Sequence, residues 1–270
     1  MSDERPVSPI PPETLQHYDE DAEADRLSAG AGALELARTQ EIVLRHLPAP
    51  PALILDVGGG PGRYARWLAD RGHRVVLVDP VERHVRHARA AGLAAQVGDA
   101  RALASPDASA DAVLLLGPLY HLTERADRVR ALAEACRVVK PGGPVIAAAI
   151  SRFASTLDGL MTSHIHDPAF EAIARRDRAD GQHRNPGNHP GWFTTAYFHR
   201  PEDLRAELQE AGLTHTETLP VEGPAWLLAN LAAHWDPPAH RERLFATLRA
   251  LEREPSLLGA SAHLLAIGRR

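Results

Sequence analysis

Leu53-Ile54-Leu55-Asp56-Val57-Gly58-Gly59-Gly60-Pro61-Gly62-Arg63-Tyr64 is the stretch on which the fold turns. A short apolar run bounded by glycines predicts a buried strand entering a tight turn. Tyr64-Ala65-Arg66-Trp67-Leu68-Ala69 then has helical apolar spacing, so the unit reads as strand, glycine turn, helix. In an open α/β sheet, ligands sit in the crevice at the carboxyl ends of the strands. The turn is therefore the first candidate site.

The ligand is narrowed by the chemistry of the turn. Gly60-x-Gly62-x-x-Ala65 satisfies the dinucleotide pattern G-x-G-x-x-G/A, which keeps NAD and FAD in view. Against a pyrophosphate, the strand ends on a carboxylate, Asp56, and the backbone at Gly58, Gly59, Gly60 and Gly62 lies bare directly after it. A ligand with an ammonium, a sulfonium and a nucleoside suits that turn better. The run from Leu55 to Gly62 resembles motif I of the class I S-adenosylmethionine-dependent methyltransferases, in which a hydrophobic strand is followed by Asp or Glu and then G-x-G-x-G. The resemblance implies that Asp56 and these glycines hold the methionine end of the cofactor.

From Leu53 onward strand and helix patterns alternate, the signature of a parallel sheet with crossover helices. A second strand over 74–79 ends on Asp79, 23 residues after Asp56, with Pro80 next. An acid there can accept both ribose hydroxyls. A helix is predicted over 81–91 and a third strand over 93–97, followed by Gly98-Asp99-Ala100. The resemblance implies that Asp99 faces the adenine amino group with the Ala100 amide beside it; an N-cap role for Asp99 is the alternative. The fourth strand, 111–116, ends at Leu116, assigned to the cofactor site, and runs into Gly117-Pro118-Leu119-Tyr120-His121-Leu122. Thr123 is expected to cap the next helix. Arg137-Val138-Val139-Lys140-Pro141-Gly142-Gly143 resembles the turn before strand five of the same family. Segments 213–222 and 261–269 read as its final antiparallel pair. The fold expected is α/β: a Rossmann-like, seven-stranded, mostly parallel sheet with helices on both faces.

The domain plan has a disordered leader over 1–12 and an N-terminal helical cap over 13–50. The methyltransferase domain covers 51–270, with 151–199 inserted as a substrate lid. The cap consists of a helix over 13–28 and another over 33–47, the latter with Leu36, Val43 and Leu47 on one stripe. By resemblance the cap covers the cofactor, making Tyr18 and Arg26 candidates to touch it; a surface role for Arg26 is the alternative. The insertion follows strand five, with a helical stretch over 168–178. Long insertions in compact domains commonly wall a substrate site, and Trp192, Phe193, Tyr197 and His199 concentrate aromatic rings there. They are assigned to substrate binding.

Composition narrows the partners. The chain of 270 residues carries a net charge of −5 and one lysine, Lys140, so it offers no basic block of the kind that tracks phosphates. The arginines at 125, 128, 130 and 137 read as a solvated helix face. No nucleic-acid or membrane partner is expected; the longest apolar runs are far below spanning length and a cytoplasmic location follows by default. A homo-oligomer is compatible with the sequence. The one cysteine, Cys136, reads as a small hydrophobe on an amphipathic helix.

Methyl transfer from a sulfonium is a direct displacement, so alignment matters most and a base only where the acceptor loses a proton. His121 and its neighbour Tyr120, just past strand four, are the candidates to orient or deprotonate a small-molecule acceptor. Histidines at 164, 166, 183, 189 and 199 raise metal binding through His164-x-His166-Asp167, but no known ligand spacing occurs and no metal is expected. Three rival readings stay open. The same cofactor can be attacked at its γ-carbon, releasing methylthioadenosine by aminocarboxypropyl transfer or cyclisation. The others are a nicotinamide-dependent oxidoreductase and a non-catalytic cofactor-binding module.

Overall fold

The computed structural model describes residues 27, 30–187, 189 and 191–270. Tyr18, Arg26, the expected leader and the helix over 13–28 lie outside the described residues. In chain order the elements begin with α1 (Gly30–His46), β1 (Leu53–Val57), α2 (Arg63–Ala69), β2 (Arg74–Asp79), α3 (Glu82–Ala90), β3 (Ala94–Val97) and β4 (Ala112–Leu115). Then come α4 (Pro118–His121), α5 (Arg125–Val138), β5 (Pro144–Ser151), α6 (Ala154–Thr162), α7 (Pro168–Asp180), β6 (Gln182–His183) and β7 (Ala196–His199). The chain closes with α8 (Pro201–Glu210), β8 (Thr214–Pro220), α9 (Leu231–Trp235), α10 (Pro238–Leu251) and β9 (His263–Arg269).

Strand β1 lies in the middle of a parallel set ordered β3-β2-β1-β4-β5. Its residues are apolar without alternation because both faces are covered. Ile54 turns toward one layer with Leu77, Leu114 and Ile146, packed under Ile42 of α1, Leu68 of α2 and Val85 of α3. Leu55 turns the other way with Val113 and Val145, against Leu132 of α5 and Leu204 and Leu208 of α8. Beyond β5 the direction reverses. β9 runs antiparallel along β5 from Pro144↔Arg269 to Ile150↔His263, and β8 pairs antiparallel with β9.

Among the described residues nine strands stand where seven were expected. The two additional ones, β6 and β7, form a small hairpin inside the 151–199 segment. β7 adds in parallel to the end of β5 through Ile150↔Phe198 and Ser151↔His199. Ile150 is thus paired with β9 on one side and β7 on the other, so the insertion extends the sheet instead of standing clear of it.

One charged residue contradicts the surface face expected for it, and a second is buried in the same way. Arg128, read as part of a solvated face, is 1% exposed. Its guanidinium donates to Glu207 of α8 through Nε and Nη2, and through Nη1 to the Leu122 and Thr123 carbonyls. A buried charge persists only when so paired. Arg38 of α1, 0% exposed, donates to the Val221 carbonyl and to Glu252, and also pairs with Glu41. On α1 the fully buried stripe is Leu34, Ile42 and Val43, with Leu36 and Leu47 half-buried. Thr123 caps nothing: Glu124 precedes the first turn of α5, and no side chain caps it. Cys136 packs against the layer formed by α5 and α8. Among the described residues no helix is long and apolar enough to cross a membrane.

Candidate functional site

The carboxyl ends of β1, β2, β3 and β4 and the loops after them enclose one cleft of about 600 Å³, closed on one side by Leu27. The turn after β1 forms its floor. Gly60 has φ +55°, and a Cβ placed there would meet nothing within 4 Å, so any side chain would project into the cleft. Gly59 is bare for another reason. A Cβ on it would lie 2.6 Å from Asp56 Oδ2 and 2.9 Å from Leu77 Cδ1. The glycines let the backbone, and whatever lies over it, approach the carboxylate closely.

Asp56 is 0% exposed, and among the described residues no side chain pairs with either carboxylate oxygen. Burial, aided by the nearby charge of Asp79, pushes its pKa up to about 7, and the Ala65 amide in the first turn of α2 offsets part of this. Asp79 is better satisfied. Its Oδ2 accepts from the Gly60 amide at 2.9 Å, and Oδ1 accepts from the Val81 amide at 2.9 Å and faces His84 Nδ1 at 3.1 Å. Asp79 therefore braces the glycine turn, and Oδ2 keeps one acceptor position for a ligand hydroxyl. This corrects the expectation that both its oxygens are available to a ribose.

Asp99 also arrives with a partner. Arg101, 3% exposed, donates to it through Nε and Nη2 and reaches Asp127 with Nη1. Burial works to raise the Asp99 pKa, but the bonds from the Arg101 side chain and amide hold it below the ordinary carboxylate range. Pro80, Ala100 and Leu116 line the cleft alongside it. On the β4 side stand Tyr120 and His121. Their rings contact one another at 4.6 Å between centroids, and Phe193 stacks on His121 from behind at 6.0 Å.

The structure brings together Asp56, Gly58, Gly59, Gly60, Gly62, Asp79, Pro80, Asp99, Ala100, Leu116, Tyr120 and His121. It does not bring the insertion aromatics into the cleft, which corrects their assignment to a substrate wall. Trp192 packs on Phe170 and His189. Phe193 supports His121 without lining the cleft. Tyr197 lies under the Arg128 guanidinium, 3.6 Å from its ring centre, and His199, 0% exposed, bonds Glu207 at 3.1 Å. The cause is one buried charge cluster. Arg128 and Glu207 need partners out of water, and β7 supplies Tyr197 and His199 to them. His164 packs against Phe170 and Trp192. Sequence reasoning missed Arg101, His84 and Pro118. Arg101 follows Asp99 by two residues and His84 follows Asp79 by five, spacings that return each to its acid.

With that geometry in place, the chain matches known proteins along this same segment: residues 54–143 match the methyltransferase-domain family. Residues 54–143 form a methyltransferase domain. The domain is of the class I, S-adenosylmethionine-dependent type, and the match lends the nicotinamide reading no support. The malonyl-[acyl-carrier protein] O-methyltransferase of Methylococcus capsulatus is 37% identical over 107 residues, 37% of this chain and 38% of that protein. The ubiquinone/menaquinone biosynthesis C-methyltransferase of Acidiphilium cryptum is 37% identical over 122 residues, 42% of this chain and 48% of that one. The chain thus spans less than half the length of these relatives. In three dimensions the likeness extends further. A methyltransferase structure from Mesorhizobium loti, 21% identical, superposes with a TM-score of 0.57 over 88% of this chain and all of its own. That likeness speaks for the fold. The methyltransferase domain therefore includes the cleft, and the matched segment carries Asp56, Asp79, Asp99, Tyr120 and His121.

Proposed function

We propose that the chain binds S-adenosylmethionine in this cleft and transfers its methyl group to a small-molecule acceptor. One observation carries the reading. Asp56 is a wholly buried carboxylate, without a cationic partner among the described residues, facing a glycine-lined cleft. Such a group favours a cationic ligand, and the methionyl end of the cofactor carries an ammonium beside its sulfonium. The cofactor, when bound, supplies an electrophilic methyl group.

The remaining work belongs to the chain's own residues. Asp56 attracts the cationic end over Gly59 and Gly60. Asp79 accepts a ribose hydroxyl on Oδ2, and Asp99, fixed by Arg101, offers an acceptor edge toward the adenine amino group. Tyr120 and His121 stand on the β4 side, where the acceptor is to be aligned; His121 takes a proton where the acceptor must lose one. The two relatives are named for an oxygen and a carbon acceptor, so elements outside the shared segment choose the attacked atom.

Calorimetric titration with adenosylhomocysteine, with NAD in parallel, tests the cofactor reading. One-site binding of the former is expected in the wild type, at least tenfold weaker in Asp56→Asn. Incubation with labelled cofactor and a panel of small phenols, amines and carboxylates, with mass spectrometry of the nucleoside product, tests the reaction. Adenosylhomocysteine is the expected product; methylthioadenosine would mean attack at the γ-carbon instead.

A further inference from the structure

A second cluster of ligating groups lies outside the cleft, where α1, the segment after β8 and the first residue of β9 meet. Glu35, Glu222 and His263 each present one ligand atom, and the three atoms lie within 4.8 Å of one another. His263 Nδ1 is 2.6 Å from Glu222 Oε1 and 3.7 Å from Glu35 Oε2. We infer that these three side chains form a binding site for a first-row divalent cation of the zinc class.

The spacing supports this. Around a tetrahedral zinc with bonds near 2.1 Å, neighbouring ligand atoms are about 3.4 Å apart. The Glu222–His263 pair has to open and the Glu35–His263 pair to close, each by less than about 1 Å, and the Glu35–Glu222 pair, within 4.8 Å, closes by at most about 1.4 Å. The site is also braced from behind. Glu222 is 2% exposed, and its Oε2 accepts from Ser261 Oγ at 2.7 Å and from the His263 amide at 3.0 Å. Ser261, 0% exposed, is in turn held by the Glu222 and Gly223 amides. Those bonds lock one carboxylate oxygen and deliver the other to the imidazole, as supporting groups do for metal-ligating carboxylates.

The donor set, one imidazole nitrogen and two carboxylate oxygens, suits zinc, cobalt or manganese better than magnesium or calcium. Three protein ligands leave a fourth position, and the His263 side chain is 23% exposed, so ion and water can enter. Binding uses the Nδ1 lone pair, so the ring proton of the ligating His263 sits on Nε2. His263 pairs with Ile150 at the carboxyl end of β5, the edge of the sheet on which the cleft opens. The sequence offered no metal site because it presents these three ligands 35, 222 and 263 residues along the chain, with no motif spacing. The histidines that did suggest one, His164 and His166, do not take part.

The test uses the full chain, stripped with a chelator. Equilibrium dialysis against Zn²⁺ is expected to give one tightly held ion per chain, and Co²⁺ the intense visible bands of a tetrahedral site. Glu35→Gln and His263→Gln should each weaken binding at least tenfold, while a His164→Gln/His166→Gln double variant binds as the wild type does. Glu35 is chosen because it is only half-buried; thermal unfolding confirms that each variant folds, and adenosylhomocysteine titration reports the cofactor cleft separately. Failure to bind a stoichiometric ion overturns the inference, and so does binding that survives both Glu35→Gln and His263→Gln. Either result would make the cluster a proton-sharing hydrogen-bond network alone.

Discussion

Asp56→Asn separates what the cleft is built for from what holds the fold together. The wild-type carboxyl has its pKa raised from 3.8 to about 7. The folded chain therefore binds a proton that the unfolded chain has lost between those two values. The sign follows: stability is fully present below about pH 4 and falls as pH rises toward 7. At about 1.4 kcal/mol per pH unit, the deficit above pH 7 is about 4 kcal/mol. An asparagine carries no charge to desolvate, though burying its amide returns roughly 1–2 kcal/mol of that gain. The variant should thus be more stable than the wild type by about 2–3 kcal/mol at pH 8, a rise in Tm of roughly 4–12 °C for a chain of this size. At pH 4.5 most of that difference should vanish. Binding should move the other way: adenosylhomocysteine affinity of the wild type rises between pH 5.5 and 7.5 as the carboxylate forms, and that of the variant is flat and at least tenfold weaker. Paired thermal scans and calorimetry over this range decide it. A stability difference independent of pH, or undiminished binding by the variant, would refute the assignment of Asp56 as the group awaiting a cation.

Gly60→Ala places a methyl group in the cleft at φ +55°; about 1–2 kcal/mol of stability is lost, and cofactor binding should be abolished with the fold retained, read by circular dichroism and calorimetry. Glu207 has its pKa held down to about 2: burial opposes this, but the bonds from His199 and Arg128 prevail. Its contribution is present above about pH 4.5 and lost as pH falls through 2, so Glu207→Gln should flatten the acid limb of the urea stability profile and lower the plateau by about 3 kcal/mol. Arg128→Ala, which leaves that carboxylate buried without its bidentate partner, should cost about 3–5 kcal/mol and displace α4, which carries Tyr120 and His121, through the Leu122 and Thr123 carbonyls that lose their donor. Arg38→Ala should cost about 3 kcal/mol in chemical denaturation, since the Val221 carbonyl loses its donor.

The matched segment, residues 54–143, was legible because its signals are local. The apolar run of β1, its acid Asp56 and the bare turn are contiguous in sequence, Asp79 ends the very next strand, and strand pairing only sets them side by side. Strands β2 and β5 and helix α7 lie within two residues of where periodicity and Pro or Gly breaks put them. The insertion was misread because an aromatic beside a histidine looks the same whether it faces a ligand or a buried arginine. Tyr197 and His199 answer to Arg128, which is far away in sequence, and to Glu207 on the next helix. Arg128 itself sits among acids on a helix, and nothing within its own turn says that it points inward.

Sequence alone therefore determined the α/β class, the alternation of strands and helices and the glycine turn with its acids, because each depends on neighbours within a few residues and on the period of the pattern. The tertiary structure decided which charges are buried, that the insertion joins the sheet, and that Glu35, Glu222 and His263 meet. Those depend on side chains brought together from distant segments, where the cost of leaving a charge without a partner, not any local preference, chooses the arrangement.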